Sequence, residues 1–212
     1  MTITLWSAGG VSMVALHEDV VVLDISEDRY ECLVDAASWL TPAPDGSLAV
    51  SDPALADDLI QAGLAMRRPS PPRPVCPPAA RALEPRPPGS RLATVRAGLV
   101  AAAATASFHN RRLSALVAPL PASPACGADD EERLSALVGA VRAAAPFIPF
   151  EGECLHRAYV LRRWLHHEGY RPMWVFGVRT WPFAAHCWLQ INALVVGDTL
   201  DRVRHYTPIR AV

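Results

Sequence analysis

The apolar positions of this chain change period several times, and each change marks an element. From Gly10 to about Val34 they alternate: Val11, Met13 and Ala15, then the run Val20 to Ile25, then Arg29 to Val34, separated by the polar turns His17-Glu18-Asp19 and Ser26-Glu27-Asp28. A period of two belongs to strands, so this stretch predicts a three-stranded β-meander. Asp35 to Leu40 then predicts a short helix, stopped by Thr41-Pro42-Ala43-Pro44-Asp45-Gly46. A second helix follows, with Ser51 or Asp52 as its cap, Pro53 at its first position and Leu55, Leu59 and Ile60 at helical spacing. Strands followed by helices in so short a span predict a small winged-helix-like module over residues 1–68, with no room for a deep catalytic cavity.

The period is helical again at about Leu92 to Ser107, Arg111 to Val117 and Ala128 to Ala145, the last opening on Asp129-Asp130-Glu131-Glu132, acids that suit the positive end of a helix. Cys154, Ala158, Leu161 and Leu165 then recur on one face of a further helix that Gly169 stops. Two or three strands close the pattern, at Met173 to Val178, Ala184 to Ile191 and Leu194 to Thr199. Residues 91–212 therefore predict an α+β domain with helices packed on an antiparallel sheet.

Composition adds a boundary between the two units. Of 20 prolines in 212 residues, nine lie between Pro69 and Pro88, a stretch that can propagate neither a helix nor a central strand and predicts a linker over 69–90. The formal net charge of −1 hides an acidic first part, with Arg29 as its one base through Met66, and a basic remainder in which every base is arginine. Opposite charges predict halves that attract each other or divide one partner between them. The dispersed bases match no nucleic-acid-binding pattern. No apolar run is long enough to span a bilayer, so no membrane partner is expected. Five cysteines (Cys32, Cys76, Cys126, Cys154 and Cys187) at irregular spacing, without a secretory signal, predict a reducing, cytoplasmic location. No CxxC pair is present, and neither a metal nor a cofactor is expected.

Chemistry, if one thiol carries it, belongs to Cys154. A helix N-terminus lowers a thiol pKa and offers unpaired amides to an oxyanion; Glu151 and Glu153 act in the opposite sense unless they point to solvent. The helix alone reads more simply as an inert cysteine on an apolar stripe. A three-residue hairpin tip centred on Asn192 places His186 opposite Asp198, with Cβ atoms about 5 Å apart, the relation of a base to its orienting acid. Asp201, the competing acid, falls on the other face of a continuing strand, and alternation turns Cys187 away from His186. His156, two residues beyond Cys154, points about 200° away round the helix. Trp174, Trp181 and Trp188 read as core and cleft wall.

These residues carry a family resemblance. Cys154-Leu155-His156-Arg157-Ala158 with Leu161 and Gly169, then Phe176-Gly177-Val178-Arg179-Thr180-Trp181-Pro182-Phe183-Ala184-Ala185-His186-Cys187-Trp188, then Asp198, resemble the transglutaminase-like cysteine peptidases that remove leaders in lasso-peptide biosynthesis. Residues 1 to about 66, with the run from Asp19 to Tyr30, resemble the leader-recognition element fused to many of them, a PqqD-like fold. The resemblance implies a transglutaminase- or papain-like domain with Cys154, His186 and Asp198 as its catalytic triad. It implies a precursor leader bound as an added β-strand beside Arg29, Tyr30 and Cys32, against the helix carrying Leu55 and Leu59. It also implies an ATP-dependent, asparagine-synthetase-like cyclase as partner. Cys187, where a small residue is usual, and the Ile191-Asn192-Ala193 tip depart from the family pattern. Amide transfer and a non-enzymatic peptide-binding scaffold are the alternatives of other classes.

Overall fold

The computed structural model describes residues 2–121, 130–148 and 153–212. Cys126, Asp129, Glu151 and the expected helix start at Ala128 lie outside them. The elements run β1 (Ile3–Ser7), β2 (Val11–Leu16), β3 (Asp19–Asp24), β4 (Arg29–Leu33), β5 (Leu40–Pro42), β6 (Ser47–Val50), α1 (Pro53–Gln61) and β7 (Ala65–Met66). β8 (Arg81–Ala82), α2 (Arg91–Phe108), α3 (Leu113–Leu116), α4 (Glu131–Ala144) and α5 (Cys154–His167) follow, then β9 (Met173–Arg179), β10 (Ala184–Ile191), β11 (Leu194–Val196), α6 (Leu200–Val203) and β12 (Thr207–Ala211).

The meander forms as the alternation predicts. β2, β3 and β4 pair antiparallel with Val14 opposite Val21 and Val21 opposite Cys32. Its turns use His17 and Asp28 in the left-handed region, and the Asp24 carboxylate accepts from the amides of Ser26 and Glu27 at 2.8 and 3.2 Å. α1 also forms where expected, with Asp52 accepting from the Ala54 amide and Pro53 in the first turn. The span of Asp35 to Leu40 holds a single 3₁₀ turn, Ala36–Ser38. A second antiparallel sheet, in the order β5-β6-β1-β7, completes the module. With one α-helix and two sheets among its described residues, the module is richer in strand than the winged-helix pattern.

β3 is buried along its whole length because the meander has a core on each side. Val20 and Val22 pack into the module's own core with Leu5, Leu40, Leu48 and Val50. Val21, Leu23 and Ile25 point the other way and join one core with α2, α4, α5 and β9. The two halves are thus fused through apolar packing, each such side chain contributing about 1.5–3 kcal/mol. Leu23→Ala is expected to cost about 2–5 kcal/mol, and calorimetry should show the whole chain melting in one transition at lower temperature.

The proline-rich segment runs between the halves as a linker does, yet it is fastened along its length. The Arg73 guanidinium donates to the Val11 carbonyl at 2.6 Å. β8 pairs parallel with β11, and Ser135 Oγ donates to the Glu84 carbonyl while accepting from the Arg86 amide. The Arg86 carbonyl lies so close to Gly139 of α4 that a Cβ there would sit 1.7 Å from it. Only glycine permits that approach, which explains a residue of low helix propensity in mid-helix.

In the second half, α2 packs on α4 and α5 through Ala97, Ala101 and Ala104, small residues that let helices approach. The sheet order is β12-β9-β10-β11-β8. β12, unmarked in the sequence pattern, pairs antiparallel with β9. α5 packs against β10 and so carries its first residue to the sheet. No helix among the described residues is long and apolar enough to cross a membrane.

Candidate active site

The stripe that predicts α5 is the face it buries: Ala158, Leu161 and Leu165 are inside, and Cys154, at the first turn, is half-buried. Glu153 precedes the helix without a side-chain capping bond, so its carboxylate does not occupy the first amides of α5. Glu153 is exposed, which keeps its charge in solvent and away from the thiol.

β10 brings His186 and Cys187 to the same place. β11 pairs with β10 only over Leu189 to Ile191, so at residues 186 and 187 that side of β10 has no partner strand among the described residues. Cys154 meets the strand there, near enough to the Cys187 side chain and amide and to the His186 side chain for all three to favour its thiolate. Strand alternation does send the two residues to opposite faces: Cys187 joins the core under α5, and His186 packs on Trp188 and Tyr206. A thiol at the open side reaches both, a meeting that alternation alone does not reveal.

Asp198 reaches His186, by a different route from the expected one. The hairpin register pairs Leu189 with Val196 and Ile191 with Leu194, giving a tip of Asn192 and Ala193, one residue tighter than predicted. In that register Asp198 has no cross-strand position opposite His186. The chain instead leaves the sheet at Gly197, whose φ is +81° and whose Cβ would fall 2.4 Å from Leu161, and folds Asp198 back. Its Oδ2 lies 2.5 Å from His186 Nε2, and its Oδ1 accepts from the Thr199 amide at 2.7 Å. Asp201 is exposed on α6. With Nε2 held by Asp198, Nδ1 is the ring nitrogen left to face Cys154.

The electrostatics follow from these contacts. Hydrogen bonds from Cys187 and His186 outweigh burial and bring the Cys154 pKa down to about 4. Burial depresses the His186 imidazolium, but its bonds to Asp198 and Cys154 prevail and raise its pKa to about 9. Burial raises Asp198, and its bond to His186 and the Thr199 amide lower it further than burial lifts it. Cys187 is pushed well above the usual thiol range by its bond to Cys154 and by burial, so it stays a protonated donor. Near neutral pH the site holds a thiolate beside an imidazolium braced by a carboxylate. Such a group can attack a carbonyl and protonate a leaving amine. The cleft around it encloses about 220 Å³ and is bordered by Arg142, Arg157 and Arg202.

The module reaches this site. Tyr30, on the face of β4 turned to the second half, packs against the same core as Cys154. Burial and the nearby charges of Cys187 and Cys154 raise its phenol pKa, so it keeps its proton. Its ring lies 5.8 Å from that of Phe183, and Trp181 Nε1 donates to Asp19 Oδ2 at 3.1 Å, which ties the β9–β10 loop to the module. Of the residues expected to hold a peptide, Arg29 pairs with Glu31 at 3.0 Å and Cys32 is exposed. Leu59 is buried and Leu55 packs beside it, on a helix that lies against β1, β6 and β7, so the two sides of the expected groove belong to different sheets. Trp174 and Trp188 are core residues, whereas Trp181 is 71% exposed. His156 is fully buried and bonded to Thr105 at 3.0 Å.

Comparison with known proteins gives two matches. The family model described as the transglutaminase-like superfamily matches residues 93–211, more than half of the chain. The microcin J25-processing protein McjB of Escherichia coli is 37% identical over 49 residues, 23% of this chain and 24% of that protein. The chain thus matches about a quarter of that relative's length. No solved structure matches.

Proposed function

The chain belongs to the transglutaminase-like superfamily, and from that premise we propose that it is a cysteine peptidase that cuts the leader from a ribosomally made lasso precursor peptide. The observation that carries the reading is the constellation of Cys154, His186 and Asp198, with the thiol pKa brought to about 4 and the imidazole pKa raised to about 9. The partial similarity to a microcin-processing protein supports the choice of substrate class. The thiolate, at the first turn of α5, attacks the scissile carbonyl. His186 gives a proton to the leaving amine, and the acyl group stays on sulfur as a thioester. Water, deprotonated by His186, then releases the leader. Asp198 holds the imidazole in register through both steps. The freed core amine is the nucleophile that a partner cyclase would join to an acidic side chain.

The leader would add to the outer side of β4, which pairs with no strand among the described residues. Tyr30 lies near the start of β4 and packs against the same core as Cys154. A leader whose C-terminal end must reach Cys154 therefore runs antiparallel to β4. Tyr30→Ala is expected to lower kcat/KM about ten-fold by removing the ring that packs β4 against Phe183 and the core beneath Cys154, while the rate of Cys154 alkylation stays as in the wild type.

Mass spectrometry of a precursor incubated with the full chain tests the assignment. Hydrolysis adds one water across a single leader–core bond. A product joined to an added amine, without water gained, would replace the peptidase reading with amide transfer, and an unchanged precursor would leave a binding scaffold.

A further inference from the structure

A second concavity, of about 800 Å³, shares no lining residue with the catalytic cleft and lies where the proline-rich segment, the β1–β2 turn and the last strand meet. Arg73 of the proline-rich segment and Arg210 of β12 both line it, and both donate to one acceptor, Ser12 Oγ of β2, at 3.0 and 3.2 Å. Arg73 also donates to the carbonyls of Ser7, Ala8 and Val11. Those acceptors are neutral. Among the described residues neither guanidinium forms an ion pair with a carboxylate. The same proline-rich segment does place Arg81 and Arg86 against Glu131 and Glu132, so the missing partner is particular to this spot.

Two like charges withdrawn from water around a shared hydroxyl are unfavourable without an anion. Burial lowers the pKa of both arginines, and Arg73 lowers that of Arg210 further. Arg210 Nε is buried with no acceptor, as is Ser70 Oγ, also of a residue lining the concavity. An oxyanion placed here would meet a free guanidinium N–H, a free hydroxyl and the uncompensated charge of two forks.

We infer that this concavity binds a carboxylate carried on a peptide. The planar guanidinium matches a carboxylate in two parallel hydrogen bonds. The volume exceeds what a lone anion fills and lies in the range of sites for larger ligands. Among the described residues no aromatic ring lines it, so a nucleobase finds no stacking surface there, whereas Pro44, Pro72 and Pro208 with Gly9 and Gly10 form a low, apolar wall along which an extended chain can lie. The site draws one residue set from each of three parts of the fold. Its occupant would lock the proline-rich segment and module onto the sheet that carries His186.

Calorimetric titration of the full chain carrying Cys154→Ala, which cannot consume a peptide, tests the site. The probes are a short blocked peptide with one glutamate, its glutamine counterpart and inorganic phosphate. The glutamate peptide is expected to bind, the glutamine peptide to bind about ten-fold more weakly or worse, and Arg210→Gln to cause a loss of about the same size. Without ligand, Arg210→Gln is expected to melt at or above the parent temperature, because an uncompensated charge has gone. Equal binding of the two peptides, binding untouched by Arg210→Gln, or a lower melting temperature for that variant, which would make Arg210 a structural donor, each overturns the inference. Displacement of the peptide by phosphate at lower concentration assigns the site to free phosphate and overturns the peptide assignment.

Discussion

Cys154→Ala is expected to reduce precursor hydrolysis by about 10³-fold or more, with the circular dichroism spectrum and melting temperature close to those of the wild type, since the half-buried thiol fills little of the core. The pH dependence separates its two partners. Cys154 titrates at about 4 and His186 at about 9. Below about pH 4 the thiolate takes up a proton, so iodoacetamide alkylation and peptide hydrolysis both fall. Above about pH 9 the imidazolium loses its proton; alkylation stays fast because the thiolate persists, whereas hydrolysis falls for want of an acid to protonate the leaving amine. Alkylation is thus expected to show one limb and hydrolysis two. An alkylation profile rising only near pH 8 to 9, as for a free cysteine, would remove the ion pair from the mechanism.

How much of this was legible in the sequence differs by element. The α5 stripe and the meander could be read directly, because each has one face in a core and a regular period. β3 is the informative exception. Its unbroken apolar run from Val20 to Leu23 marks a strand buried on both faces, and the sequence pattern does not say that the second face belongs to the other half of the chain. β1, β5, β6 and β12 are short strands whose apolar positions are too few to establish a period. Asp198 was reached from a register that the structure corrects: the two-residue tip takes it out of cross-strand position, and the left-handed turn at Gly197 returns it to His186. Cys187 could not be placed by alternation, since its contact with Cys154 depends on β11 ending early. The nearness of Tyr30 to the thiol depends on how the halves dock, and no local pattern encodes docking.

Asp198→Asn carries the second large effect. The carboxylate does two things for His186: it accepts from Nε2, fixing the ring so that Nδ1 faces the sulfur, and it stabilises the imidazolium. An asparagine of nearly the same shape keeps one acceptor and removes the charge. If its amide group turns toward the ring, Nε2 must accept, and the neutral ring then carries its proton on Nδ1. Loss of a buried acid in this position lowers kcat by about 10⁴-fold in the analogous serine triad, and a loss of about 10²- to 10⁴-fold is expected here, where the thiolate retains the bond from Cys187. The His186 pKa, read by NMR, is expected to fall from about 9 toward the ordinary imidazole range, carrying the alkaline limb of hydrolysis down with it. Asp201→Asn, an exposed change on α6, is expected to leave both rate and imidazole titration unaltered. A drop in activity for Asp201→Asn as large as that for Asp198→Asn would mean that the working register differs from the one in which Asp198 meets His186.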